Sequence, residues 1–320
     1  MRPFDELSAT GRARRLRPLA MRALAAWPLD VRALRLLSND YNGVWRVDAA
    51  EGRFVLRVNL THRSDAELRS ELAWLEALTG VVRAPVPLRT RGGEPWAVSE
   101  ALGVPGARRC VLFSWLPGRV MTPGDQPTAF ADLGLEVAGL HMQARAWRRA
   151  RGMPVFDRPF ADPHAERILF DQALAPSVRS VFRDAECAAA EAYKRLIESP
   201  ERPSIAHHDV HVGNALVSRG RVSLIDFDDC VLAYRPEDLG RSLFQNRMRG
   251  CDERRLRAFR SGYEAIAAWP DVADVEAFVA AAAMELANDV YQDADPDYRA
   301  AAKEYATRWA GVARRALGRI

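Results

Sequence analysis

The stretch "HHDVHVGNALVSRGRVSLIDFDD", His207 to Asp229, gathers the side chains best suited to chemistry. Three of the chain's six histidines (His207, His208 and His211) fall in its first five residues. Asp226, Asp228 and Asp229 crowd its far end. "NALVS" and "RVSLIDF" read as two strands of a hairpin turning at Arg219-Gly220. Asp209 and Asn214 stand before and at the start of the first strand, and Asp226 ends the second. Antiparallel pairing brings those ends together, so two carboxylates and an amide converge on a small volume. Like charges repel there unless a cation joins them. Carboxylate and amide oxygens without cysteine favour a hard cation, Mg²⁺ before Zn²⁺.

Positioning such a cluster takes a scaffold, and the chain reads as one. Residues 8–27 form a helix closed by Pro28. Residues 34–47 read as strand, turn, strand, with Asn42-Gly43 in "SNDYNG" as the hairpin signal. Gly52–Asn59 is a third strand, rich in β-branched and aromatic residues. A helix follows, with Ser64 as N-cap and Gly80 as its end. Leu68, Leu72, Leu75 and Leu78 form its buried stripe. Glu71 falls inside that stripe, where an unpaired carboxylate is costly. Cys110–Trp115 is an apolar strand stopped by Pro117-Gly118. Beyond it helical patterns dominate, at 128–151, 164–197, 252–268 and 274–290, broken by a short strand in "PSIAHHD" and the hairpin. The expected class is α+β. A helical extension (1–37) precedes a small antiparallel-sheet lobe (38–113), a crossover or hinge (114–118) and a larger helical lobe (119–320).

Composition narrows the partners. The net charge of +4 comes from 46 basic and 42 acidic side chains, too small an excess to imply nucleic acid. Only Lys194 and Lys303 are lysines, so no lysine precedes residue 194. Cys110, Cys187, Cys230 and Cys251 form no CxxC pair and no metal-ligand spacing, and read as reduced thiols of a cytoplasmic protein. The longest apolar run, "AFVAAAAM", is too short to span a bilayer, so no membrane role is expected. Residues 7–29 hold arginines and no acid, a composition shared by transit peptides and by an amphipathic helix packed on the first lobe.

The pattern His207-x-Asp209-x-x-x-x-Asn214 followed by "IDFDD" resembles the catalytic and metal loops of the protein-kinase-like fold. It is most similar to the aminoglycoside phosphotransferase and choline kinase superfamily, whose loop reads H-G-D-x-H-x-x-N. "LRSELAWLEAL" and "VLFSWLPGR" look most like the bacterial branch of stress-response Ser/Thr kinases and type II homoserine kinases. "LGLEVAGLHMQA" looks like the helix that ends in Leu-His in these kinases, and "PEDLGRSL" like the helix after the metal loop. The resemblance implies a two-lobed kinase fold using ATP and Mg²⁺. Asp209 would orient the attacking hydroxyl. Asn214 and Asp226 would hold the metal on the nucleotide phosphates. His207 would buttress the loop, and Asp238 would hydrogen-bond the catalytic-loop backbone. The backbone around Ser114, Trp115 and Leu116 would meet adenine, and Asn42 lies in a loop placed to cover phosphate.

Three departures from that pattern stand out. His208 replaces the usual Gly, Val212 replaces a common Pro, and the third-strand lysine is missing. Arg57 in "FVLRVN" is the candidate substitute, with Glu71 as its partner. His211 reads either as a hydrogen-bonded structural histidine or as part of the active loop. Asp228 reads either as a supporting residue or as a solvated loop residue. Glu285, Asp289 and Asp293 recur every four residues, either a solvated face or the lining of a pocket for a cationic acceptor. The acceptor expected is a hydroxyl of a small molecule such as an amino alcohol or aminoglycoside-like compound. The alternatives are a protein Ser/Thr or a kinase-like nucleotide-binding protein with little activity. A metallohydrolase would need an H-x-H-x-D-H order that "HHDVH" lacks.

Overall fold

The computed structural model describes residues 3–4, 6–39, 41–60, 63–147, 151–160, 174–292 and 299–320. It divides into two compact units, Met1–Thr79 with Ala84–Leu116, and Gly80–Arg83 with Pro117–Ile320.

The first unit is an antiparallel sheet with two helices. Strands β1 (Val31–Asn39), β2 (Asn42–Ala49), β3 (Gly52–Asn59), β4 (Pro87–Leu88), β5 (Ala97–Ser99) and β6 (Arg108–Ser114) pair in the order β1-β2-β3-β6-β4, with β5 also on β6. Helix α1 (Ala9–Leu24) starts at Ser8, whose hydroxyl accepts from Gly11 N–H. Its Leu16, Leu19 and Ala20 are fully buried with Trp45, Val47, Leu56 and Leu112 of the sheet. The segment expected as an extension over 1–37 therefore contributes to this core and supplies most of an edge strand. Helix α2 (Asp65–Ala77) opens with a reciprocal capping box between Ser64 and Glu67 and buries Leu68, Leu72 and Leu75.

Asn42-Gly43 is not the hairpin turn. Both residues belong to β2, opposite Asn59 and Val58 of β3, and Gly43 also pairs with Asn39. The Asn42 side chain is buried and its Oδ1 accepts from Leu60 N–H (3.3 Å), prolonging the ladder instead of reversing the chain. The turn thus falls earlier, on a segment whose Asp40 lies outside the described residues.

The second unit is mainly helical: α3 (Pro127–Ala146), α4 (Pro176–Glu198), α5 (Arg235–Met248), α6 (Glu253–Glu264), α7 (Val272–Gln292) and α8 (Ala302–Leu317). Helix α3 stops short of the expected residue 151, because Trp147 already has extended backbone, and α4 begins at Pro176 instead of residue 164, with Ala175 extended before it; residues 148–150 and 161–173 lie outside the described residues. Its short strands are β7 (Arg119–Val120), β8 (Ser204–Ala206), β9 (Ala215–Ser218), β10 (Arg221–Leu224) and β11 (Val231–Ala233). They form a β10-β9-β7 sheet and a β11-β8 ribbon. The β9–β10 hairpin turns at Arg219 (φ 50°) and Gly220 (φ 77°), the left-handed pair that a two-residue turn requires.

Helices α3 and α6 cross on two glycines. A Cβ at Gly134 would lie 1.9 Å from the Phe259 carbonyl oxygen, and one at Gly262 would lie 1.8 Å from that of Ala131. Neither backbone can yield without separating the helices. Gly134→Ala is expected to destabilise by about 3 kcal/mol or more. Gly139→Ala, on the same helix with only ordinary contacts from 3.4 Å outward, should be neutral or slightly stabilising through helix propensity. Chemical denaturation of both variants checks this. Equal midpoints would mean that the helices do not approach at Gly134.

Candidate active site

Strand β8 delivers the chain into His207–Asn214, and β9 carries it away. Ile225, just past β10, donates its N–H to the Asn214 carbonyl at 3.0 Å, so the hairpin extends one step beyond its strands. That step sets Asp226 beside the catalytic-loop end, as the strand pairing requires. Asp226 is exposed and has φ 68°, a left-handed conformation that Asp tolerates better than most side chains. Asp228 is half-buried in the same loop.

His207 ties the two loops together. Its ring is fully buried, stacks near Phe227 (centroids 4.4 Å apart), and its Nε2 lies 3.0 Å from the Ile225 carbonyl. A carbonyl only accepts, so Nε2 carries the proton. Burial holds the ring's pKa below its ordinary value, against the pull of Asp238 and Asp209.

Asp209 is gripped on both oxygens. Gln245 Nε2 donates to Oδ1 at 2.9 Å, and Asn214 Nδ2 donates to Oδ2 at 2.7 Å. His211 takes the Gly213 N–H on Nδ1, which leaves Nε2–H turned to Asp209 Oδ2 at 3.4 Å. Burial alone would raise the Asp209 pKa, but the His211 hydrogen bond and the Arg241 charge outweigh it and hold the group ionised. Oδ1, which takes the Gln245 bond, has a second lone-pair direction with which to accept a hydroxyl proton.

Helix α5 supports this loop along one buried polar stripe. Asp238 Oδ1 accepts from His208 N–H (2.7 Å) and its Oδ2 from His141 (2.8 Å). Asn246 Oδ1 accepts from Val212 N–H (3.1 Å). Gln245 and Asn246 went unnoticed in the sequence. Their signal is the spacing of Asp238, Ser242, Gln245 and Asn246, a polar stripe where a core helix would ordinarily be apolar.

His208 holds φ 66°, which explains why glycine suits this position. Its buried Nε2 meets Glu237 Oε1 at 2.8 Å, and its ring packs on Phe156. Burial and then the Arg241 charge depress His208 to about 3, while burial and then Glu285 push Glu237 well above 4.5. Folding linkage fixes the signs. The His208 contribution is present above 6.5 and lost as pH falls toward 3. The Glu237 contribution is present below 4.5 and lost as pH rises through its raised value. Above 4.5, as far as the raised Glu237 value, the two slopes oppose, because folding takes a proton from the histidine and leaves one on the glutamic acid. Glu237→Gln should unmask the histidine, so that stability climbs by about 1.4 kcal/mol per pH unit more steeply than in the parent over that window. Urea denaturation at several pH values measures it; parallel curves would remove the coupling.

In the first unit Arg57 and Glu71 meet. Arg57 Nη2 donates to Glu71 Oε2 at 3.0 Å, and its Nη1 lies 2.8 Å from Oε1, an ion pair carrying one hydrogen bond. Glu71 is fully buried, and Arg63 approaches it at 3.4 Å. Ser114 is committed to the sheet: its N–H goes to the Val86 carbonyl and its Oγ accepts from Val86 N–H, each at 2.9 Å. That leaves the half-buried Trp115 and Leu116 as the better-placed part of the expected adenine segment. Of the acidic series, Glu285 accepts from Phe160 N–H (3.0 Å), Asp289 is exposed and Asp293 lies outside the described residues.

The donors present suit a hard divalent cation. The Asn214 amide nitrogen is taken by Asp209, so its Oδ1 remains the acceptor, and Asp226 adds a carboxylate. Among the described residues no group of three or more His, Cys, Asp or Glu could hold a metal. Two oxygen ligands, with water and phosphate oxygens completing the shell, is how Mg²⁺ is usually held.

Residues 33–275 match the model of the phosphotransferase enzyme family. The chain is 25% identical over 212 residues to amicoumacin kinase of Bacillus subtilis (strain 168), covering 65% of this chain and 61% of that protein. It therefore spans less than two thirds of that relative's length. Its fold matches the structure of a microcompartment-associated aminopropanol kinase (TM-score 0.77, 23% identity, 94% and 98% of the two chains). It also matches the amicoumacin kinase hAmiN in complex with AMP-PNP, Ca²⁺ and Ami (TM-score 0.71, 18% identity, 95% and 96%). With the family match running from the first strand of the sheet into α7, the chain belongs to the phosphotransferase enzyme family.

Proposed function

We propose that the protein is an ATP-dependent O-phosphotransferase that moves the γ-phosphoryl group to a hydroxyl of a small amine-bearing molecule, such as an amino alcohol or aminoglycoside-like compound. The observation that carries this reading is the grip on Asp209, an ionised carboxylate oriented by Gln245 and Asn214. Phosphoryl transfer runs through a loose transition state, so orienting the nucleophile and neutralising charge do most of the work. Asp209 accepts the hydroxyl's hydrogen bond and takes its proton as the new P–O bond forms. Asn214 and Asp226 hold Mg²⁺, which when bound neutralises charge on the phosphates. Arg57, fixed by Glu71, supplies the cation that a lysine commonly gives. Trp115 and Leu116 meet adenine. An amine on the acceptor accords with the names of the relatives and with the acidic run Asp226, Asp228 and Asp229. Free cysteines and the need for ATP accord with the cytoplasm; among the described residues no helix is long and apolar enough to cross a membrane.

A thermal-shift titration with Mg²⁺ and AMP-PNP tests the metal assignment. The parent should gain stability as both are added, and Asp226→Ala should lose most of that gain while Asp228→Ala keeps it. At ligand 100 times its dissociation constant the gain is about 2.7 kcal/mol. A shift lost in Asp228→Ala and kept in Asp226→Ala would place the ligand wrongly.

A further inference from the structure

On the second unit, away from the loops just described, lies a pocket of about 390 Å³ lined by Arg145, Pro200, Glu201, Arg202, Ser204 and Arg235. Three guanidiniums and one carboxylate face it. Glu201 is already engaged by Arg235 through two bonds of 2.8 and 3.2 Å. Arg202 is held at the rim, its Nη1 donating to the Ser199 and Glu201 carbonyls (2.7 and 2.8 Å). Arg145, at the last turn of α3, makes no hydrogen bond or ion pair to another described residue. The lining thus carries two positive charges beyond its internal pair. Rigid forks of this kind match the oxygens of a phosphate dianion, and the buried Ser204 offers a neutral donor on the same wall.

The pocket is wired to the catalytic loop. Arg235 opens α5, and Asp238 stands one turn further along the same helix. Tyr263 meets His141 Nδ1 at 3.0 Å, His141 Nε2 meets Asp238 Oδ2 at 2.8 Å, and Asp238 Oδ1 accepts from His208 N–H at 2.7 Å. One proton order satisfies these links: Tyr263 donates to His141, and His141 to Asp238. Tyr263, His141 and Asp238 are buried, so the chain is shielded from water along its length. Strand β8 makes a second connection, since Ser204 in the pocket stands three residues before His207.

We infer that this pocket binds a phosphate dianion, free or as a phosphomonoester, and that its occupant, by drawing on Arg235 at the start of α5, shifts Asp238 on the same turn and with it the loop that Asp238 holds. The second clause rests on the function proposed above; the first does not.

Calorimetric titration of the full chain with inorganic phosphate, and separately with phosphoethanolamine, tests the site. Arg145→Gln/Arg202→Gln removes both unmatched guanidiniums from surface positions, and its melting temperature without phosphate should equal the parent's. Binding is expected in the parent and about tenfold or more weaker in the double variant. Phosphate bound at any other place would be unchanged by the variant, and that result, or no binding in the parent, overturns the site. Tighter binding of one probe tells which source of phosphate the pocket takes. The binding arm needs no turnover and stands whether or not the chain transfers phosphate. For the coupling, phosphate should alter kcat in the parent and leave it unaltered in Arg145→Gln/Arg202→Gln, which cannot hold it in the pocket. The same change in both, or none in the parent, overturns the coupling.

Discussion

Asp209→Asn is expected to fold, to bind nucleotide as the parent does, and to lose transfer by a factor on the order of 10² or more. The structure makes the reason concrete. Both oxygens of Asp209 accept hydrogen bonds, from Gln245 and from Asn214. An asparagine keeps one acceptor and sets an amide N–H₂ against the other donor, so the side chain must turn or one partner must let go. It also cannot take a proton. In the proposed assignment nucleotide and metal are held by other residues, so the thermal shift with Mg²⁺ and AMP-PNP serves as the check that the variant is intact. Steady-state turnover with the acceptor then reads the loss. Near-normal turnover would remove Asp209 from its role.

Breaking the Arg57–Glu71 pair has the next largest consequence, on stability as well as rate. Glu71 is wholly buried and Arg57 nearly so, and removing one partner of such a pair costs about 3–5 kcal/mol because the other charge is stranded. Glu71→Ala should be the worse single change, since it abandons both Arg57 and Arg63. Arg57→Ala leaves Glu71 with Arg63. Each single variant should raise the KM for ATP and lower kcat. The double variant should be little worse than either, because the stranded charge is gone. Denaturation midpoints and ATP kinetics on the three variants measure this. Small, additive effects would mean that nucleotide phosphate is held by some other cation.

Much of this arrangement was legible in the sequence because it rests on local rules. The β9–β10 hairpin follows from Arg219-Gly220 between alternating strands, and it fixes Asn214 near Asp226 whatever the rest of the chain does. Glu71 in a leucine stripe demanded a cation, and the absence of lysine left arginine to provide one. The failures are tertiary. Asn42-Gly43 carries a strong turn signal, but β2 pairs on both sides at that point and the ladder recruits both residues. The bonds from Ser114 to Val86 were likewise out of reach of the sequence, because they join strands far apart along the chain. The grip of Gln245 on Asp209 joins residues 36 apart through the packing of α5, which no local pattern specifies. His208 could be recognised as a departure, yet its positive φ and its bond to Glu237 belong to the fold alone.

The central claim, transfer of phosphoryl from ATP to a small hydroxyl compound through Asp209, is tested most directly by following label from γ-labelled ATP with Mg²⁺. The acceptors are a panel of amino alcohols and aminoglycosides beside generic Ser/Thr proteins, with Asp209→Asn run in parallel. Label should appear in a small amine-bearing acceptor, only when ATP and metal are both present, and fall on the order of 10² or more in the variant. Label found in protein serine or threonine instead, or transferred equally well by Asp209→Asn, would contradict it.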